Sequence, residues 1–214
     1  MAATLTPAAF VRALAAVGEA IAAAHDELCA LDGSIGDGDH GVTMKVGFEA
    51  IRAALADSDG SEGFAALCGK AAKAFMSATG GSAGPLYATA LIRAGAALKD
   101  RPVMDGPAAA AFVRACAEGV QARGKAAAGD KTMLDAWLPA AAAAGEAAER
   151  GGDVVAVLAA AAQGAAAGAE ATRAMEAKLG RASRLGQRSV GGVDPGAAST
   201  ALILRALKDA AAAA

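Results

Sequence analysis

The stretch Leu31-Asp-Gly-Ser-Ile-Gly-Asp-Gly-Asp-His-Gly41 gathers three carboxylates, Asp32, Asp37 and Asp39, within a few residues and spaces them with glycines. Three unscreened carboxylates at one point repel one another, and a hard divalent cation removes that cost. Magnesium takes oxygen ligands and usually completes its shell with phosphate oxygens. Three aspartates suffice to hold two such ions on either side of a shared phosphate. An EF-hand calcium loop is excluded, because position twelve counted from Asp32 is Thr43, where that loop requires a bidentate Glu. By itself the stretch also matches a solvated turn whose aspartates cap the next helix. Its meaning depends on what the rest of the chain brings to it.

The surroundings read as helical. Hydrophobic residues make up 55% of the 214-residue chain, aromatics only 3%. The excess is mostly alanine, the strongest helix former. Thr6-Pro7 reads as an N-cap followed by proline at the first helical position. Phe10, Leu14, Val17, Ile21 and Leu28 then line one helical face to about residue 30. Further helices are expected over about 43–56, 63–78, 85–98 and 107–125. A sixth follows Gly129-Asp130-Lys131-Thr132 and should kink at Pro139. A seventh runs over 154–179, and an eighth begins at the Asp194-Pro195 cap. The fold class is all-α, an eight-helix antiparallel up-and-down bundle or barrel, with residues 1–214 as a single domain.

The connections fall into two classes. Those after the second, fourth and sixth helices are plain turns. Those after the first, third, fifth and seventh are rich in Gly, Asp, Ser and Thr. If consecutive helices are antiparallel neighbours, as short connections suggest, the second class meets at one end. Each of its loops precedes a helix N-terminus, which carries partial positive charge and free N–H groups and binds phosphate readily. An anion site at that end is the expectation.

Other features narrow the class. The formal net charge is −2 with scattered basic residues, so there is no electrostatic footprint for nucleic acid and no basic patch for a membrane. Cys29, Cys68 and Cys116 are widely spaced, which fits reduced thiols in the cytoplasm; Cys29 is expected as a small buried filler. The N-terminus lacks the pattern of a signal peptide. The uncharged run 154–169 is expected to be too short and too weakly apolar to span a bilayer.

IGDGDHG (35–41), GGSAGPL (80–86), GDKTM (129–133) with WLP (137–139), and the segment from Gly180 through Asp194-Pro195-Gly196-Ala197 resemble, in order and spacing, the ADP-binding L subunit of bacterial dihydroxyacetone kinases. The same unit forms the C-terminal domain of single-chain dihydroxyacetone kinases. The resemblance covers nearly the whole chain. It implies a barrel of eight antiparallel helices with ADP or ATP at one end. Asp32, Asp37 and Asp39 would bind two Mg2+ ions. His40, Gly41, Val42 and Thr43 match the phosphate-contacting turn and helix start. Ser82 and Ala83 match the second loop, although the family more often has Ala-Ser in that order, which leaves open which hydroxyl meets phosphate. Gly124 and Met133 match positions near the adenine. Arg181 matches an arginine of the GRAS segment, and Asp194, Pro195 and Gly196 the last nucleotide-contacting turn. Lys131 and Arg188 are charged residues in special loops, open to phosphate or partner contact. Trp137 is expected in the core.

The resemblance also implies partners. A separate substrate-binding kinase subunit would hold the ketone and supply the general base, since nothing in this chain resembles that unit. The phosphoryl donor would be exchangeable ATP, or a phosphotransferase-system protein that rephosphorylates a retained ADP. The acceptor would be dihydroxyacetone or another short ketose such as a tetrulose. A homodimer and a regulatory role toward a transcription regulator are further expectations.

Overall fold

The computed structural model describes residues 3–214. Nine α-helices follow in order: α1 Pro7–Ala23, α2 His25–Ile35, α3 His40–Ala54, α4 Gly63–Ala78, α5 Ala83–Ala97, α6 Gly106–Gly124, α7 Leu134–Glu149, α8 Val154–Ala171 and α9 Pro195–Ala212. Two 3-10 segments, Thr172–Ala174 and Ala182–Ser189, lie between α8 and α9. Each helix packs on the next, and α9 closes on α1. The result is a ring with eight positions, because α1 and α2 share one. Small side chains permit this closure. Alanines fill much of the shared core, including Ala71, Ala94, Ala109, Ala140, Ala161 and Ala165.

The first expected helix is two. It bends by 60° at Ala24, whose φ of −93° and ψ of 9° leave the helical region. The apolar spacing carries through the bend, so periodicity did not reveal it. Asp32 consequently sits inside α2 rather than in a loop. Helix α3 begins at His40, three residues before the expected start, because Asp32 accepts hydrogen bonds from the N–H groups at its N-terminus. Helix α8 ends at Ala171 rather than near Leu179. There the Thr172 hydroxyl donates to the Ala169 carbonyl at 2.6 Å and the chain turns into a 3-10 segment. Helix α7 runs unbroken through Pro139. The single hydrogen bond lost to the missing proline N–H does not break a helix packed along its length by α6 and α8.

The stretch Val154–Ala174, with mean hydropathy 1.5, does meet the length and composition of a membrane span, which corrects the expectation for this segment. It lies between α7 and α9 as a barrel helix.

The two poles differ as the loop classes foretold. At the plain pole the helices carry their own caps: Thr6 Oγ1 accepts from Ala9 N at 3.2 Å, Asp105 Oδ1 from Ala108 N at 2.8 Å, and Asp153 Oδ1 from Ala156 N at 3.0 Å. The N-terminal segment ties this pole together. Leu5 pairs with Met104, and Ala3 N donates to Asp153 Oδ2 at 3.2 Å. The loops after α2, α4, α6 and α8 lie at the other pole.

Phe10 anchors the core between. Its ring meets Phe64 and Phe112 edge-on, with centroids 5.5 and 5.7 Å apart, so that one side chain joins α1, α4 and α6. It is 1% exposed. Phe10→Ala is expected to lower stability by about 3–5 kcal/mol, read as a shifted midpoint with unchanged slope in urea unfolding.

Candidate metal centre

Asp32 projects from the last turn of α2, Asp37 and Asp39 from the turn that follows. One carboxylate oxygen from each lies within 4.8 Å of the others. Gly38, at φ +80°, turns the chain between Asp37 and Asp39 through a region that L side chains rarely occupy. Asp32 Oδ2 accepts from Asp39 N at 2.9 Å and His40 N at 3.3 Å. One aspartate thus caps α3 from a neighbouring helix. Gly41, in the first turn of α3, is buried, and a Cβ there would collide with the His25 carbonyl and press on Cys29 Sγ. Only glycine lets α3 lie this close to α2. Asp32 is half-buried, while Asp37 and Asp39 are exposed. Arg181 forms an ion pair with Asp37, which offsets part of the crowded negative charge. An all-oxygen donor set of three carboxylates fits a hard divalent cation.

The other loops close around this cluster. Asp194 caps α9 through Oδ2, which accepts from Ala197 N at 2.8 Å. Burial, with Asp135 and Asp32 nearby, pushes its carboxyl up to about 7, against the lowering effect of the Ala197 N–H and of Lys131. Lys131 is 2% exposed. It donates to the Thr172 carbonyl at 2.7 Å and the Gly192 carbonyl at 2.6 Å. Burial lowers its ammonium below the ordinary lysine range, with Asp194 opposing that shift. Lys131 is therefore a clamp that ties the loop after α6 to both ends of the segment 172–194. His40 bonds through Nε2 to Ser199 Oγ at 2.9 Å, and burial lowers its pKa while Asp32 opposes the change.

Of the residues singled out in sequence, Asp32, Asp37, Asp39, His40 and Arg181 share one pole with Asp194, Pro195 and Gly196. Val42 is exposed and Thr43 half-buried on the first turns of α3. Ser82 is exposed and Ala83 half-buried at the start of α5. Ser82 provides no side-chain cap, so the N–H groups opening α5 face the pole without one. Gly124 is exposed, with Leu86 beside it. Met133 is 7% exposed and packs against Gly196. Trp137 is in the core, 3% exposed, with no partner for its Nε1 among the described residues. Cys68 and Cys116 are buried, but Cys29 is half-buried, because it lies under the glycine-lined junction of α2 and α3.

Asp135 was not foreseen. Its carboxylate accepts from Gly129 N at 2.5 Å and Thr132 N at 2.9 Å, while Thr132 Oγ1 accepts from Leu134 N at 3.2 Å. The two side chains thus hold backbone N–H groups just ahead of α7 in a variant of the capping box, and Thr132-x-x-Asp135 is its sequence sign. The signal was present in the GDKT loop and was overshadowed by the lysine. Ser199 and Tyr87, which meet at 3.2 Å, had no such signal: they are joined only by the fold.

An all-helical barrel with an acidic, glycine-hinged pole is a recognised architecture. Residues 34–209 match the model of the DAK2 domain, and the chain belongs to this family. It is 36% identical over 211 residues to the ADP-binding subunit DhaL of the PEP-dependent dihydroxyacetone kinase of Escherichia coli, covering 97% of this chain and 99% of that one. It is 40% identical over 200 residues to the D-erythrulose kinase of Mycolicibacterium smegmatis, covering 92% of this chain and 34% of that longer one. The fold superposes on the dihydroxyacetone kinase of C. freundii in complex with AMP-PNP and Mg2+ with a TM-score of 0.71 at 26% identity, covering 93% of this chain and about a third (33%) of that one.

The shifted Asp194 carboxyl sets a pH dependence. Unfolded, it loses its proton near its ordinary value of 3.8; folded, near about 7. Between the two the folded state holds a proton that the unfolded state has released, so stability falls as pH rises through this window. Thermal unfolding of the metal-free protein is expected to show this decline, and Asp194→Asn, which still caps a helix, to flatten it.

Proposed function

We propose that this chain is the nucleotide- and magnesium-binding subunit of a dihydroxyacetone, or related short-ketose, kinase. It presents the phosphoryl donor to a ketone held by a separate substrate-binding subunit. The observation that carries this is the meeting of Asp32, Asp37 and Asp39 within 4.8 Å at the pole where α5 opens without a side-chain cap. The names of the relatives support the reading: an ADP-binding subunit matched across nearly its full length and kinases of four-carbon ketoses matched over a third of theirs.

In this proposal Asp32, Asp37 and Asp39 hold two magnesium ions. Magnesium, when bound, would neutralise phosphate charge. The chain's own residues do the rest. The N–H groups opening α5, with Ser82 and Ala83, bind phosphate as a helix N-terminus does. The first turn of α3, from His40 through Gly41 and Val42 to Thr43, lines the nucleotide. Arg181 exchanges Asp37 for phosphate oxygens, so that one guanidinium serves the metal-free and the liganded site in turn. Gly124 and Met133 flank the adenine, and the Asp194-Pro195-Gly196 turn closes the far side. Catalysis here is positioning and charge neutralisation. The general base for the acceptor hydroxyl comes from the partner, so the chain alone leaves a ketose unphosphorylated.

A second feature concerns the donor. The relatives matched over most of their length are subunits of PEP-dependent kinases. This favours ADP as a retained coenzyme, rephosphorylated in place by a phosphotransferase-system protein, over freely exchanging ATP. Labelled ADP is then expected to stay with the protein through gel filtration, and its complete loss would assign the exchanging mode.

Asp37→Ala and Asp39→Ala are each expected to abolish magnesium-dependent ADP binding in calorimetry while the helical circular dichroism persists. Wild-type affinity in either variant would remove the metal assignment. With a substrate-binding subunit added, coupled turnover on dihydroxyacetone and on erythrulose reads the acceptor directly.

A further inference from the structure

Ser199 lies in the second turn of α9 and is fully buried. Three polar atoms surround its hydroxyl: the Gly196 carbonyl oxygen at 3.0 Å, His40 Nε2 at 2.9 Å and the Tyr87 hydroxyl at 3.2 Å. A serine hydroxyl donates one hydrogen and accepts at two lone pairs. The carbonyl can only accept, so the serine hydrogen must lie between Oγ and Gly196; otherwise two oxygen lone pairs would face each other. The remaining two contacts then require hydrogens from His40 and Tyr87. Three contacts and three hydrogens match in this arrangement, in which the Gly196 carbonyl is shared with the Thr200 hydroxyl at 2.9 Å. His40 therefore carries its hydrogen on Nε2, and in the neutral ring a lone pair on Nδ1. That nitrogen has no partner among the described residues and is not sealed from solvent, at the start of the helix that follows the aspartates.

We propose that Tyr87 and Ser199 are positioning residues that lock His40 in the Nε2–H tautomer, so that its Nδ1 meets the ligand as a hydrogen-bond acceptor. The group it takes must bring a hydrogen: a hydroxyl of the nucleotide sugar or a water molecule in the site. A phosphate oxygen, itself an acceptor, is not its partner. This narrows the role of His40 within the turn of α3 and rests on the nucleotide-site reading above. Tyr87 suits the role, because burial pushes its phenol up to about 12 and it remains a donor throughout the working pH range.

The chain has two histidines, so nitrogen-15 NMR of the full-length protein resolves both rings. His25, whose Nδ1 faces Asp26 Oδ1 at 2.8 Å, serves as the internal reference. The expected spectrum at a pH where the rings are neutral has a protonated Nε2 and an unprotonated Nδ1 on His40. Ser199→Ala is expected to release the ring into a mixture of tautomers and to weaken Mg-ADP binding on the order of tenfold, the size of one lost hydrogen bond. Tyr87→Phe should do the same to a smaller extent, and Ser199→Thr should preserve the wild-type tautomer. In His40→Phe, a loss confined to Mg-ADP names the sugar hydroxyl, and an equal loss with Mg-diphosphate names the water. An Nδ1–H tautomer in the wild type would overturn the proposal, as would a Ser199→Ala protein with unchanged tautomer or unchanged affinity. The wild-type spectrum decides the tautomer even if a variant fails to fold. It needs no nucleotide, so a failure of the wild type to bind Mg-ADP would count against the functional reading separately.

Discussion

Closure of the helical ring is the constraint from which the rest of this structure follows. Once α9 packs on α1, each helix has a neighbour on both sides, and every loop is assigned to one pole or the other. Alanine and glycine make the closure possible, because bulky side chains on both faces of a helix would hold its neighbours apart. The large side chains are few and concentrated, as in the Phe10, Phe64 and Phe112 contact. They fill the centre that small residues leave open.

The turn between α2 and α3 creates the electrostatic problem that defines the acidic pole. Three aspartates arrive at one place, and the metal-free protein meets their repulsion in two ways. The backbone N–H groups of Asp39 and His40 neutralise part of the charge on Asp32, and Arg181 neutralises part of that on Asp37. Arg181 reaches the cluster from the segment between α8 and α9, which has little regular structure of its own. That segment is ordered by buried polar bonds: Lys131 to the carbonyls of Thr172 and Gly192, and Asp194 N to Thr172 Oγ1 at 2.9 Å. A buried lysine costs desolvation unless its hydrogens are all used. Two carbonyls take two of the three, the Asp194 carboxyl lies near, and the loop after α6 is joined to both ends of the segment between α8 and α9 as a result.

Much of this was legible from residue order. Threonine or aspartate followed by proline gave the caps at Thr6 and Asp194. The glycine-spaced aspartates gave the acidic turn, and the sorting of loop compositions gave its companions. The early start of α3 follows from the Asp32 carboxylate on a neighbouring helix and the early end of α8 from the Thr172 hydroxyl, and helical periodicity is blind to both, as it is to the bend at Ala24.

Composition, apolar spacing and punctuation by themselves determined that the chain is all-helical, how many barrel positions it fills and which loops are unusual. These properties depend on neighbours within a turn or two, where the backbone's own geometry sets the rules. Tertiary structure alone decided that Lys131 is a clamp rather than an exposed cation. It alone showed that Asp32 caps a helix it does not belong to, and that one serine hydroxyl in α9 fixes the hydrogen on a histidine in α3. Each of these depends on the direction of a few hydrogen bonds between segments that the fold brings together, and no spacing along the chain encodes such a direction.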